Sequence, residues 1–257
     1  MVHSRPQPCV QEVVRLCIVR CSIAVLCLGT SLFAAGAVPF SVGEKLIFSV
    51  EYGPISAGTA TMEVLEIVEV NGRACYHIVS TEKTNDFFSR FFKIRDRYDS
   101  YIDTLTLATV KFEKQIEEGK YKAEAHVTID LDSLVAIYSD GDTVEVISEA
   151  KDAIATVYYV RTLDISVGDT FYVNNHTDKE NYVLEITVPR ALKVYTALGT
   201  FDCIEVQPKL EGTKVFEGRK GLTVWLTDDE WKIPVLIRSK LMIGSIQAII
   251  KDIEFGS

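Results

Sequence analysis

The chain has 257 residues, 47% of them hydrophobic, with a formal net charge of −9. That charge disfavours nucleic-acid binding over the body as a whole, because such binding relies on Lys and Arg neutralising phosphates. The length is ample for a single core, and no linker, low-complexity run or internal repeat divides it.

Residues 1–37 read as an export signal. Arg5, Arg15 and Arg20 precede the apolar stretch CSIAVLCLGTSLFAAGA, which ends in Ala35-Gly36-Ala37, the small-x-small pattern of a cleavage site. Cleavage near Ala37 leaves one domain, residues 38–257, delivered to the periplasm. Cys27 follows Leu26 and does not form a lipid-attachment pattern, so the expected product is soluble. Setting residues 1–37 aside removes three Arg and one Glu and leaves 24 basic against 35 acidic residues, a net charge of −11. Cys75 and Cys203 remain, an even number in an oxidising compartment, as a disulfide or as two buried thiols. No CxxC and no Cys/His quartet with zinc spacing is present, so no cofactor or structural metal is indicated.

Alternation of apolar and polar residues runs the length of the mature part, broken by turn residues about every ten positions, as in a succession of ten to thirteen antiparallel strands. The first clear unit is ATMEVLEIVEV-NG-RACYHIVST. Asn71-Gly72 tolerates the positive φ of a type I′ turn, so Val70 should face Arg73, Val68 Cys75, Glu66 His77 and Val64 Val79. In NDFFSRFF, Asn85 or Asp86 is placed to cap a short helical turn that buries Phe87, Phe88, Phe91 and Phe92. KIRDRYDSYID, residues 93–103, is a charged strand. It turns Lys93, Arg95, Arg97, Asp99 and Tyr101 to one face and Ile94, Asp96, Tyr98 and Ser100 to the other. Hairpins follow at Glu118-Gly119 and Asp140-Gly141. DAIATVYYVRTLD then shows helical spacing at Ile154, Val157, Tyr158 and Arg161 behind Asp152 as N-cap. Five further strands lead to the C-terminus. So many strands in a flat sheet would leave an uncovered face, and the expected fold is an all-β roll or barrel enclosing one or two short helices.

Catalytic signals are few. His77, His126 and His176 have no metal-ligand spacing, and neither a GxSxG elbow nor SxxK occurs. Arg95 and Arg97 together could receive a phosphate or carboxylate, and Asp96 and Tyr98 stand out on the more apolar face. Arg161 is placed to meet the last carbonyls of its own helix or, alternatively, to reach inward, where Asp96 would be a partner. In GLTVWLTDDEWKIPVLIRSK, Asp228, Asp229 and Glu230 fall at a hairpin tip between Trp225 and Trp231. Pro234 then requires an edge strand or a bulge.

FSVGEKLIFSVEYGPISAGTATMEV, FFSRFFKIRDRYDSYID, YYVRTLDISVGD, LGTFDCIEVQPKLEG and GLTVWLTDDEWKIPVLIRSKLMIGSI occur in order over nearly the whole mature chain. Together they resemble domain of unknown function 3108, a family of exported bacterial envelope proteins. The resemblance implies an all-β exported domain and transfers no catalytic residue. WLTDDEWKIPVLIRSK is also similar to a hairpin of exported lipoprotein carriers, with Thr227 where their Asp would stand.

The resulting expectation is a non-enzymatic periplasmic protein that binds a lipid, a lipoprotein or another envelope component. It takes no nucleic acid and meets the membrane only transiently. Candidate contact residues are Trp225, Trp231, Arg95, Arg97, Tyr98 and Arg161. The alternatives are an assembly factor acting through protein contacts and, less favoured, a hydrolase using Asp96, Asp99 or Glu66.

Overall fold

The computed structural model describes residues 38–209, 221–240 and 244–256. The export signal read from residues 1–37 lies outside the described residues. Fourteen strands form one antiparallel sheet. From one edge inward these are β8 (Thr143–Glu145), β7 (Val135–Tyr138), β6 (Tyr121–Asp130), β5 (Thr109–Glu118), β4 (Arg95–Asp103), β3 (Arg73–Thr84), β2 (Ile55–Val70) and β1 (Lys45–Tyr52). The sheet continues through β14 (Ser245–Glu254), β13 (Pro234–Lys240), β12 (Leu222–Thr227), β11 (Gly199–Pro208) and β10 (Glu180–Thr196) to β9 (Thr170–Thr177). Every neighbour pair but β1 and β14 is consecutive in sequence.

The Asn71-Gly72 turn forms as its residues require, with φ of 51° and 74°. Val70 faces Arg73, Val68 Cys75 and Glu66 His77. Beyond them a bulge at Leu65 shifts the ladder, so Val64 faces Ile78 and not Val79. The bulge turns Val64 and Ile78 into the core together, where both are fully buried. Pro234 opens β13 opposite Leu226, where a second register shift accommodates its missing donor in a central strand.

The sheet is curled but not closed by a ladder. Its two edges meet through side chains. Tyr138 on β7 lies 2.7 Å from Nε2 of His176 on β9, and Lys179 pairs with Asp140 and Asp142. Residues 147–151 run along β9, where Lys151 N–H donates to Asn174 O and His176 N–H to Lys151 O. The β9 edge is thereby shielded from a further strand.

Helix α1 (Asp86–Ser89) is a single turn capped by Asn85, whose side chain accepts from Phe88 N–H. The expectation that this segment buries all four phenylalanines is corrected. Phe88 and Phe92 lie on one side and are half-buried, while Phe87 and Phe91 are exposed, because residues four apart share a helical face. Helix α2 (Ala153–Arg161) packs between β4 and β9. It begins as read, with Asp152 as N-cap accepting from Ile154 and Ala155 N–H. Eight of its nine residues are buried, so it is an internal plug and not an amphipathic surface helix. Cys75 and Cys203 are both buried and free.

Candidate functional site

Antiparallel order puts the turns at Gly53-Pro54, residues 85–94 and Gly119 at one end of the curl. The turns at Asn71-Gly72, residues 104–108 and residues 228–233 lie at the other. Helix α2 fills the second end. Asp152 also accepts from the hydroxyls of Ser100 and Thr109, anchoring the helix to β4 and β5. Burial raises its carboxyl above the ordinary range despite the donors from Ser100, Ala155, Thr109 and Ile154.

At the other terminus of α2, Arg161 is 1% exposed. Its Nη1 and Nη2 donate to the two oxygens of Glu44 at 2.6 and 2.7 Å, Nη2 also to Pro39 O, and Nε to Trp231 O at 3.1 Å. The rings of Tyr158 and Phe40 flank it at 5.2 and 5.6 Å. The reading of Arg161 as a cap of its own helix is therefore corrected. Thr162 N–H meets Tyr159 and Val160, and the guanidinium is spent on the N-terminal segment and the 228–233 turn. It does not reach Asp96.

The first end is different. Alternation turns Ala60, Ser80, Phe112, Tyr182 and Ala248 inward, in line with Phe48, Tyr98, Ser100, Asn175 and Val50 on the neighbouring strands. All five keep partial exposure, beside a small buried cluster of Val50, Ile94 and Ile246 on which Ala60 and Phe92 pack. Four are packed against the main core, the exception being Ser80. The inward positions nearest the rim carry acids: Glu82 on β3, Asp96 on β4 and Glu118 on β5, all buried. Asp96 Oδ1 accepts from Glu117 N–H at 2.9 Å, and Oδ2 has no hydrogen-bond partner among the described residues. Burial pushes its carboxyl up to about 6, and the Glu117 charge adds to this against the Glu117 N–H bond. Tyr98, between these acids and the core, is held protonated by burial and by its acidic neighbours. No group of three His, Cys, Asp or Glu among the described residues is arranged for a metal ion.

The model of the family described as protein of unknown function (DUF3108) matches residues 47–251. The chain belongs to the DUF3108 family. No curated protein matches it. The fold of this DUF3108 chain is similar to that of a beta-barrel-like protein of domain of unknown function DUF1849 from Brucella abortus. The TM-score is 0.53 at 8% identity, over 86% of this chain and 100% of that one. A "putative lipoprotein" from Parabacteroides distasonis ATCC 8503 aligns with a TM-score of 0.35 at 8% identity, over 84% of this chain and 98% of that one. The first likeness shows the fold.

The DUF3108 structure disperses the residues singled out from the sequence. Arg95 and Arg97 share the outer face, as alternation requires, but do not form one anion site. Arg97 donates to both oxygens of Asp99 at 2.7 and 2.5 Å. Asp99 also lies 2.7 Å from His77 Nε2. Burial opposes its ionisation, yet the Arg97 and His77 bonds prevail and hold the carboxyl below the ordinary range. His77 stacks on Tyr101 at 4.4 Å, with Glu66 3.5 Å from Nδ1. Asp96 faces inward and Asp99 outward, so they cannot serve one reaction.

Trp225 is buried on the outer face, its Nε1 donating to Glu205 at 3.1 Å beneath the Arg238 guanidinium. Trp231 is partly exposed at the plugged end, 6.1 Å from the Phe255 ring. Asp228, Asp229 and Glu230 are exposed at a tip, where Asp229 accepts from Trp231 and Lys232 N–H and the Thr227 hydroxyl. The inward acids Glu82 and Glu118 went unnoticed in the sequence. Their signal was charged residues at the core parity of apolar strands.

Proposed function

We propose that this chain is an exported, non-enzymatic protein of the cell envelope, carried to the periplasm by a cleavable signal within residues 1–37 and folded as one domain over 38–257. It holds an apolar ligand, a lipid or the lipid-modified part of a lipoprotein, in the open half of its sheet. The observation that carries this reading is the partial exposure of inward Ala60, Phe112, Tyr182 and Ala248 beside a core that α2 fills elsewhere. Small side chains on a concave apolar surface leave room for a chain of methylenes.

A reaction draws less support. Burial pushes the Cys75 and Cys203 thiols up to about 11 and 12, the reverse of an activated nucleophile. His77 is engaged on the outer face by Asp99 and Tyr101. Assembly through a sheet edge is disfavoured because β8 has three residues and β9 is met by Lys151.

Protein recovered from the periplasm should carry lipid detectable by mass spectrometry and bind an apolar fluorescent probe. Ala60→Trp, which fills the concave face, should abolish both while leaving the unfolding transition in place. Absence of both lipid and probe binding from the parent protein sinks the reading.

A further inference from the structure

Around the 85–94 turn the surface at this end of the sheet is rich in cations. Phe87 and Phe91 are 61% and 71% exposed, their rings 5.5 Å apart. Around them, Lys83 faces Arg95 across the β3–β4 ladder, and Arg90 ends α1. The β5–β6 turn brings Lys120 alongside. Gly119 N–H donates to Lys93 O at 2.7 Å, and Gly119 approaches Phe92 so closely that a Cβ would stand 2.8 Å from the ring.

Among the described residues, Lys83, Arg90, Arg95 and Lys120 have no carboxylate partner, whereas Lys93 and Lys122 share Glu117. Asp86 is the sole acid between Lys83 and Arg95. In a chain of net charge −9, unpaired cations ringing two exposed phenylalanines form a surface that suits an anionic apolar partner.

We propose that this rim docks the protein on an anionic lipid bilayer. Phe87 and Phe91 enter the headgroup region, and Lys83, Arg90, Arg95 and Lys120 meet lipid phosphates. The cations come from separate strand ends around a projecting turn. A plane of phosphates meets all of them at once, whereas a folded acidic partner would need a recess for the turn. The same bilayer repels the acidic remainder, which holds the mouth of the concave face toward the lipid. The docking goes beyond ligand binding and does not require the interior to be occupied.

The test places an environment-sensitive fluorophore on Phe91→Cys, with Tyr195→Cys at the opposite end as reference. Vesicles of phosphatidylglycerol and phosphatidylethanolamine should shift the label at 91 and not that at 195. Phosphatidylcholine vesicles should leave both unchanged. Changing Lys83, Arg90, Arg95 and Lys120 to Gln should weaken the response at least about tenfold, consistent with each basic residue near an anionic surface adding to the attraction.

No shift at 91, an equal shift with phosphatidylcholine, an equal shift at 195, or a response that survives the four substitutions overturns the proposal. A label that responds to envelope proteins and not to vesicles assigns the rim to a protein and overturns it equally. Ala60→Trp should dock as the parent does, so failure of docking and failure of lipid uptake are read separately.

Discussion

Arg161 and Glu44 stand 117 positions apart in sequence and form a two-pronged ion pair, 2.6 and 2.7 Å, out of contact with water. Their pairing joins the end of α2 to the start of the sheet and, through Trp231 O, to the 228–233 turn. Removing one partner leaves a buried charge uncompensated. Arg161→Met or Glu44→Gln should each lower stability by about 3–5 kcal/mol in urea unfolding. The double variant Glu44→Leu/Arg161→Met should recover most of that loss. A double variant no better than either single one would show that the pair is not the source.

Asp152 accepts four hydrogen bonds where α2 meets β4 and β5. Asp152→Ala removes the cap and strands the hydroxyls of Ser100 and Thr109. A loss of roughly 2–4 kcal/mol follows from the cap and the unsatisfied donors together. Asp152→Asn, which keeps an acceptor, should cost less, and thermal melts of both variants compare them directly.

Asp96 predicts a stability that declines with rising pH. Its folded carboxyl titrates near 6, above the ordinary value of 3.8, so the folded state holds the proton more tightly. The contribution is complete below about pH 4, falls as pH rises through 6, and amounts to roughly 3 kcal/mol. Asp96→Asn should flatten this dependence and raise stability at neutral pH. An unchanged pH profile in the variant would assign the effect elsewhere.

His176 acts in the opposite sense. Burial lowers its basicity below the ordinary 6.5, against the Asn181 bond that raises it. The unfolded chain therefore takes the proton first, and the seam's stability is complete above about pH 6.5 and is lost as pH falls. Hydrogen-exchange protection factors at Val135–Tyr138 and Asn174–His176, corrected for the intrinsic pH dependence of exchange, should fall on acidification, and His176→Gln should remove that fall. Protection factors unchanged across that range would contradict it.

Much of the fold was legible from local chemistry. Asn71-Gly72 set three cross-strand pairs correctly because its turn geometry is nearly obligatory, and Asp152 announced its helix. The fourth pair failed at Leu65, since a bulge made by a leucine leaves no glycine or proline to mark it. The inward and outward faces of β4 followed from alternation. The partners of its charges did not. Asp99 takes Arg97 from its own strand and His77 from the next, choices that depend on side-chain reach. The Arg161–Glu44 pair joins a helix end to a segment 117 positions away, which no periodicity encodes. The misreading of NDFFSRFF has a simpler cause. Four phenylalanines suggest burial, but one helical turn has room to hide only one of its faces.

The placement of β14 beside β1 has a consequence for synthesis. The last strand to emerge is not an edge but lies in the middle of the sheet, holding β1–β8 to β9–β13. Until Ser245–Glu254 has been made, the two meanders, each of neighbouring hairpins, share no ladder, and only α2 and the seam along β9 link them. Truncation there splits the sheet into two ladders, where loss of β8 from the other margin would only trim it.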